Sequence, residues 1–309
     1  MARLPKYDVV SIEDLGIAEI ERIFTLADGF ATALEKSERL SVADGLIMAT
    51  LFYEPSTRTR LSFESAMHRL GGAVISSADM HASSASKGES LADTVRVVSG
   101  YADLIVMRHP HDGAARVAAE YAPCPIINAG DGSREHPTQT LCDLYILRKK
   151  KGHLRGLTVA LCGDLKYGRT VHSLSRLLSL YKVKLNYVSP DILKMPAEVI
   201  EELKAKKMEQ NDTGGLEQVL PETDVLYVTR VQKERFEDPA VYEKVKGAYV
   251  IDAATMKAAK GHMIVMHPLP RVNEISMDFD EDPRAAYFRQ MEYGLYVRMA
   301  LLAMVLGKA

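Results

Sequence analysis

The 309-residue chain sets 39 Lys and Arg against 41 Asp and Glu, a formal net charge of −2, and its longest run of like charge is Arg148-Lys149-Lys150-Lys151. This excludes a nucleic-acid or membrane-surface binder held by bulk charge, so any anion binding must be local. With 47% hydrophobic and 26% charged residues, the composition predicts a soluble globular protein long enough to build two cores.

Ser11 is expected to cap a first helix, because Ile12, Leu15, Ile20, Ile23, Phe24, Ala27, Phe30 and Leu34 follow a 3.6-residue period. Leu46-Ile47-Met48-Ala49-Thr50-Leu51-Phe52 reads as a buried strand that Glu54-Pro55 ends. After the hydroxyl- and arginine-rich stretch Ser56-Thr57-Arg58-Thr59-Arg60, the residues Phe63, Ala66, Met67 and Leu70 recur at i, i+3, i+4 and i+7, and Gly71-Gly72 supplies a stop. The stretch is therefore a strand-to-helix turn with Ser56 at the N-cap. A second strand over 73–76 leads into a small-residue segment, 83–88, expected to be a mobile loop with one cation, Lys87. Ser90 caps the next helix, a short strand over 104–107 ends at Arg108, and a helix over 114–121 precedes a strand over 126–129. His136-Pro137 opens a further helix, with Leu141, Leu144 and Tyr145 facing inward.

The passage between domains is placed along Arg148-Lys149-Lys150-Lys151-Gly152, read as a solvated helix end complementing the dipole. Beyond it the alternation restarts, with strands over 158–162, 185–188, 225–229, 249–251 and 263–266 and helices over 169–180 and 197–207. A long apolar-striped helix over 284–306 closes the chain. The fold class predicted is α/β, in two domains, each a mostly parallel sheet flanked by helices. Cys124, Cys142 and Cys162 are odd in number and lack CxxC spacing, so they read as core residues of a cytosolic protein, with neither a disulfide framework nor a zinc site. No apolar stretch approaches about 18 residues, and Met1-Ala2-Arg3-Leu4-Pro5 lacks the apolar region of a secretory signal, so neither a membrane span nor a leader is expected.

In open parallel sheets ligands bind beyond the carboxyl ends of the strands. The residues at the ends of the apolar runs are Ser56-Thr57-Arg58, Arg108, Ser133 with His136, Gly168-Arg169, Thr229-Arg230 and His267-Pro268-Leu269-Pro270-Arg271. This set is cationic in a chain of negative net charge, which implies one or two small substrates carrying several negative charges. At Ser56–Thr59 the unpaired N–H groups of a helix start, hydroxyls and a guanidinium suit a phosphate group. No His, Cys or carboxylate cluster has metal spacing, and no Ser or Cys sits in a nucleophile elbow, so neither metal nor covalent catalysis is indicated. Gly163-Asp164-Leu165-Lys166-Tyr167-Gly168-Arg169-Thr170 has the glycine spacing of a P-loop, but Arg169 stands where that loop needs its lysine.

Phe52-x-x-Pro55-Ser56-Thr57-Arg58-Thr59-Arg60 resembles the carbamoyl-phosphate signature of the transcarbamoylases. The resemblance spans almost the whole chain, through Val106-Met107-Arg108-His109-Pro110, His136-Pro137-Thr138-Gln139, the 163–173 segment, Thr229-Arg230-Val231-Gln232-Lys233-Glu234-Arg235 and His267-Pro268-Leu269-Pro270-Arg271. Its second half points to the aspartate carbamoyltransferases. The resemblance implies a carbamoyl-phosphate-binding domain over 1–135 plus 290–309 and an aspartate-binding domain over 136–289, with a linking helix at about 136–150. It also implies transfer of a carbamoyl group from carbamoyl phosphate to L-aspartate, without a cofactor or metal, in the cytoplasmic early steps of pyrimidine synthesis. Ser56, Thr57, Arg58 and Thr59 would hold the phosphate, and Arg108, His136 and Gln139 the carbamoyl group. Arg169, Arg230 and Gln232 would bind aspartate, while Leu269 and Pro270 would orient the carbamoyl amide. The family is trimeric, so Ser83 and Lys87 would come from a neighbouring subunit, and Arg58, Thr59, Lys87, Arg108 and His136 would carry catalysis. By the same resemblance, Lys87 and Leu269 would also face the aspartate.

Two positions depart from the family pattern. Ser86 stands where members can carry a second lysine, and Asn273 where an aspartate is sometimes found. His109-Pro110-His111-Asp112-Gly113-Ala114-Ala115 resembles members that bind regulatory chains, which leaves such partners open. Ornithine carbamoyltransferase shares the Ser-Thr-Arg-Thr segment but typically has His-Cys-Leu-Pro at the position of His267-Pro268-Leu269-Pro270, and its acceptor does not call for Arg169 and Arg230. A non-catalytic phosphate-binding protein would need no acceptor pocket at all.

Overall fold

The computed structural model describes residues 7–78 and 84–309. The chain divides into two compact units, Met1–Tyr145 with Glu292–Ala309, and Ile146–Met291.

The first unit runs α1 (Ile17–Glu35), β1 (Ile47–Phe52), α2 (Thr57–Arg69), β2 (Ala73–Ser77), α3 (Leu91–Val98), β3 (Leu104–His109), α4 (Ala114–Tyr121) and β4 (Ile126–Asp131), then α5 (Pro137–Lys151), which crosses the unit boundary. Its sheet has the order β2-β1-β3-β4 with every pairing parallel. All the carboxyl ends therefore lie on one edge. Buried Ala49, Leu51, Ile105, Met107 and Ile126 pack with Val95 and with the small residues Ala114, Ala115, Ala118 and Ala119 of α4. The α2 stripe is buried as its spacing predicts: Phe63, Ala66, Met67 and Leu70 are fully covered, each large side chain contributing about 2 kcal/mol. Its end is a Schellman motif, with Gly71 N–H donating to the His68 carbonyl and Gly72 N–H to that of Met67, both at 3.0 Å. Gly71 has φ +88, and a Cβ there would stand 2.9 Å from the Leu40 carbonyl oxygen, so glycine is required.

The second unit runs β5 (Thr158–Cys162), α6 (Arg169–Leu178), β6 (Lys184–Val188), α7 (Ala197–Ala205), β7 (Glu209–Asp212), α8 (Leu216–Val219), β8 (Val225–Val228), α9 (Pro239–Val245), β9 (Ile264–Met266) and the start of α10 (Tyr287–Val305). Its sheet is again all parallel, in the order β7-β6-β5-β8-β9. Ala160, Cys162, Val188, Leu226, Val228 and Val265 form its core with Phe279 and Tyr287. The three cysteines are free and buried.

Three expectations are corrected and one strand is added. Ser11 caps a single 3-10 turn, Ile12–Asp14, instead of the long helix; Asp14 accepts from Ser11 N–H at 2.8 Å, and the backbone resets at Gly16 before α1 begins. The segment read as a loop winds into a 3-10 turn over Ser84–Lys87, and Ser83 lies outside the described residues. The strand expected over 249–251 is one parallel bridge, Ile251 to Ile275, after which Asp252 accepts from Thr255 N–H at 2.7 Å and turns the chain. The strand β7 is unexpected, because Glu-Gln-Asn-Asp carries no apolar residue; it forms at the sheet edge, where one partner and an exposed face suffice.

Candidate active site

The first unit gathers its candidate residues at the ends of three adjacent strands. After β1 the chain turns through Glu54-Pro55 into α2, whose N-cap is Ser56, in extended conformation and with no side-chain capping bond. The first intrahelical donor is Arg60, to the Ser56 carbonyl, so the N–H groups of Thr57, Arg58 and Thr59 precede the helical ladder. Thr57 and Arg58 are exposed and Thr59 is buried. Arg60 lies 3.8 Å from Glu64, an acid one turn along the same helix, so its charge is answered within α2. Arg108 is the penultimate residue of β3, in register with Phe52 of β1, and is 8% exposed. Its Nη2 donates to Glu54 Oε1 at 2.5 Å and its Nη1 to the Ala129 carbonyl at 3.2 Å.

His136 follows β4 and immediately precedes α5, fully enclosed at 4% exposure. Gln139 N–H donates to its Nδ1 at 3.4 Å. The Thr138 hydroxyl faces the same Nδ1 at 3.4 Å, an arrangement that suits a ring proton on Nε2. The Gln139 amide nitrogen donates to buried Asp143 at 2.7 Å, one turn along the helix. Its oxygen is thereby the atom turned to accept. Lys87, at the end of the Ser84–Lys87 turn, is exposed.

The second unit repeats the plan on β5, β8 and β9, which are adjacent. Gly163 follows β5 with φ +113, and a Cβ on it would stand 2.2 Å from the Thr229 carbonyl oxygen. Only glycine lets the β5 and β8 exits approach this closely. Thr229 completes the contact, its N–H donating to the Cys162 carbonyl at 2.8 Å. Asp164, wholly buried, accepts from Tyr167 N–H at 2.9 Å through Oδ1, with weaker approaches from Lys166 and Gln232, while among the described residues its Oδ2 has no hydrogen-bond partner. Burial pushes the Asp164 carboxyl up, and these hydrogen bonds oppose the rise without cancelling it. Thr229 Oγ1, donating to the Asp164 carbonyl at 3.3 Å, ties the loop that leads to Arg169, at the first position of α6, to the loop bearing Arg230 and Gln232. All three of those side chains are partly exposed.

After β9, His267 is buried while Leu269 and Pro270 reach the surface, and Leu269 has a positive φ of 54. Arg271, counted among the strand-end cations, is committed elsewhere: both its Nη atoms bond Asp280, at 2.6 Å for Nη2. Among the described residues, no group of three or more His, Cys, Asp and Glu is placed to hold a metal ion.

Two family models cover the chain. The carbamoyl-phosphate-binding domain of aspartate/ornithine carbamoyltransferases matches residues 7–149, and their Asp/Orn-binding domain matches 155–305. The chain belongs to the aspartate/ornithine carbamoyltransferase family. Within it, the chain is 54% identical to the aspartate carbamoyltransferase catalytic subunit of Thermococcus onnurineus over 97% of both chains. To that of Methanocaldococcus jannaschii it is 54% identical, over 95% of this chain and 96% of the relative. A solved catalytic subunit of M. jannaschii aspartate transcarbamoylase superposes with a TM-score of 0.91 at 52% identity, over 97% of this chain and 98% of the other. The Trypanosoma cruzi enzyme solved with carbamoyl phosphate does so with 0.92 at 45%, over 97% and 96%. The family motifs do not mark Glu54, Asp143 or Glu274, acids that hold candidate residues in place, and Asp164 lies within one of them without a role assigned to it. Of the three unmarked acids, only Asp143, four residues after Gln139 on one helix, had a sequence signal that could have found it.

Proposed function

We propose that the two residue sets divide one reaction, with the first unit holding carbamoyl phosphate and the second holding L-aspartate. The chain is an aspartate carbamoyltransferase: it moves the carbamoyl group of carbamoyl phosphate to the amine of L-aspartate, giving N-carbamoyl-L-aspartate and phosphate. The observation that carries the division is the start of α2, where three N–H groups ahead of the helical ladder share one turn with Ser56, Thr57, Arg58 and Thr59. Such a site suits a phosphate dianion. Arg169 and Arg230 answer to the two carboxylates of aspartate, and Gln232, on the same loop as Arg230, adds a polar contact.

The amine lone pair of aspartate attacks the carbamoyl carbon, and electrons shift onto the carbamoyl oxygen. Thr59, Arg108 and the Nε2–H of His136 are donors for that developing charge, held before the reaction begins. The bond from carbon to the phosphate oxygen then breaks, and the departing phosphate takes the amine proton. Gln139, turned to accept, suits the carbamoyl NH2, as do the carbonyls around Leu269 and Pro270. No protein general base is needed, and binding both substrates removes the entropy cost of their encounter.

Lys87, with Ser83, serves the site of a neighbouring subunit in a homotrimer, and the reaction belongs to cytoplasmic pyrimidine biosynthesis. The free cysteines support that compartment, and no helix among the described residues is long and apolar enough to cross a membrane. The deciding experiment is colorimetric detection of carbamoyl amino acid from carbamoyl phosphate, with L-aspartate in one tube and L-ornithine in another. Product with aspartate alone is expected; product with ornithine alone overturns the roles of Arg169 and Arg230. For the shared site, mixing subunits inactivated separately by Lys87→Ala and Arg58→Ala restores part of the activity in hybrid trimers, and no recovery in hybrids shown to form removes Lys87 from it.

A further inference from the structure

We propose that His267 and Glu274 are positioning residues, a buried imidazole and carboxylate pair that fixes the Leu269 backbone so that its carbonyl meets the N–H groups of the reacting carbamoyl group and amine. This rests on the assignment of Leu269 and Pro270 to the carbamoyl amide.

The segment following β9, His267-Pro268-Leu269-Pro270, is short of donors by composition, since its two prolines have no N–H. The two remaining donors are both engaged. His267 N–H donates to Gln290 Oε1 at 3.1 Å, and Leu269 N–H donates to His267 Nδ1 at 2.7 Å. What the segment has to offer a ligand is carbonyl oxygen. A row of acceptors suits an amide NH2 or an amine and repels phosphate and carboxylate, so this strand end complements the donors on the other two.

Leu269 adopts φ 54, the left-handed region that a leucine side chain disfavours. Its N–H bond to Nδ1 holds it there. Nδ1 can accept only while the ring proton sits on Nε2, and Nε2 stands 2.7 Å from Glu274 Oε1. Glu274 therefore dictates the tautomer, and the tautomer dictates the Leu269 conformation. The other carboxylate oxygen accepts from Val272 and Asn273 N–H, each at 3.1 Å, closing the turn beyond Pro270. Asn273 enters through its backbone N–H, which any residue but proline supplies, so its departure from the family pattern leaves this arrangement intact. Ile251 N–H donates to the Glu274 carbonyl at 2.9 Å and anchors the backbone from the far side. Water cannot substitute for either partner, because the side chains are 1% and 8% exposed.

Two variants of His267 separate positioning from mere structure. In His267→Asn the side-chain oxygen takes the place of Nδ1 and accepts from Leu269, while the bond to Glu274 is lost. In His267→Gln the amide reaches toward Glu274, and nothing accepts from Leu269. Steady-state carbamoyl-aspartate formation is measured on the full chain, with inhibition by inorganic phosphate alongside. His267→Gln is expected to lower kcat about 30-fold and His267→Asn about fivefold, with phosphate inhibition unchanged in both. Equal losses in the two, or phosphate inhibition that weakens in step with kcat, overturn the proposal. Should neither variant fold, Glu274→Gln keeps the shape but can turn oxygen or NH2 toward Nε2, so it no longer dictates the tautomer; kcat then falls about tenfold, and full activity overturns the proposal. An unchanged chain that carbamoylates no aspartate instead fails the reaction assigned above, before any variant is compared.

Discussion

The two sheets share one plan and differ in what fixes the chemistry at their edges. Each is all parallel, and each puts its candidate residues on three adjacent strands, β1, β3 and β4 in one and β5, β8 and β9 in the other. In the first, α2 and α5 begin at candidate residues, with Glu54 and Asp143 holding Arg108 and Gln139 beside them. In the second, contacts between strand exits carry more of the positioning: Thr229 joins two loops through the Asp164 carbonyl, and buried Glu274 sets His267. A helix start positions its groups by backbone geometry alone, whereas strand exits in contact depend on their packing, and a buried acid must be desolvated and fully hydrogen-bonded to hold its neighbours. The second edge should therefore be the more sensitive to packing and to pH.

The largest expected effect breaks the first edge. Arg58→Ala should lower kcat about a thousandfold, roughly 4 kcal/mol of barrier, with circular dichroism and melting unchanged. A folded variant within tenfold of the parent would remove Arg58 from the phosphate site. Next comes packing in the second unit: Gly163→Ala places a methyl against the Thr229 carbonyl at a positive φ and should cost about 3 kcal/mol, seen by calorimetry as earlier melting of that unit. Unchanged melting would show that the β5 and β8 exits can separate freely.

Arg230→Ala sharpens the division of labour. It should raise the KM for aspartate about 100-fold while leaving that for carbamoyl phosphate within about twofold. Equal rises in both would mean that the two units do not divide the substrates. The smallest effect is on acid stability. Glu202, Asp224 and Glu274, all in the second unit, are held below their ordinary values. Burial alone would raise each of them, but hydrogen bonds and charge from Lys206 and Arg176 on Glu202, hydrogen bonds from Lys260 and Thr158 N–H with charge from Lys260 on Asp224, and hydrogen bonds from His267 and Val272 on Glu274 outweigh it. A depressed folded pKa stabilises above the unfolded value, and the contribution is lost as pH falls through the folded one. Asp164, raised by burial, runs the other way: its contribution is fully present below the ordinary 3.8 and is lost as pH rises through its folded value. Hydrogen exchange between pH 5 and pH 3 should show the second unit opening progressively, ahead of the first. First-unit opening ahead of it would contradict the comparison.

Much of the first edge was legible from residue order. Apolar runs gave β1, β3 and β4, the i, i+3, i+4 stripe gave α2, and Ser56–Thr59 fell between β1 and α2, so local spacing alone marked that turn as a candidate anion site. The second edge was legible only as arginines after strands. Arg271 shows the limit of that reading, since it looked equivalent to Arg169 and Arg230 until Asp280 was found beside it. β7 was invisible because an edge strand needs no apolar face.

The sequence by itself determined the class of fold, two alternating α/β units with cationic strand ends, because periodicity and capping are local properties of the chain. Which acids hold those ends was decided by tertiary structure. Glu54 meets Arg108 from 54 residues away, across adjacent strands. Glu274, seven residues from His267, reaches it only through a turn that its own carboxylate closes. Partnerships of this kind depend on which strands become neighbours, and no local pattern in the chain records it.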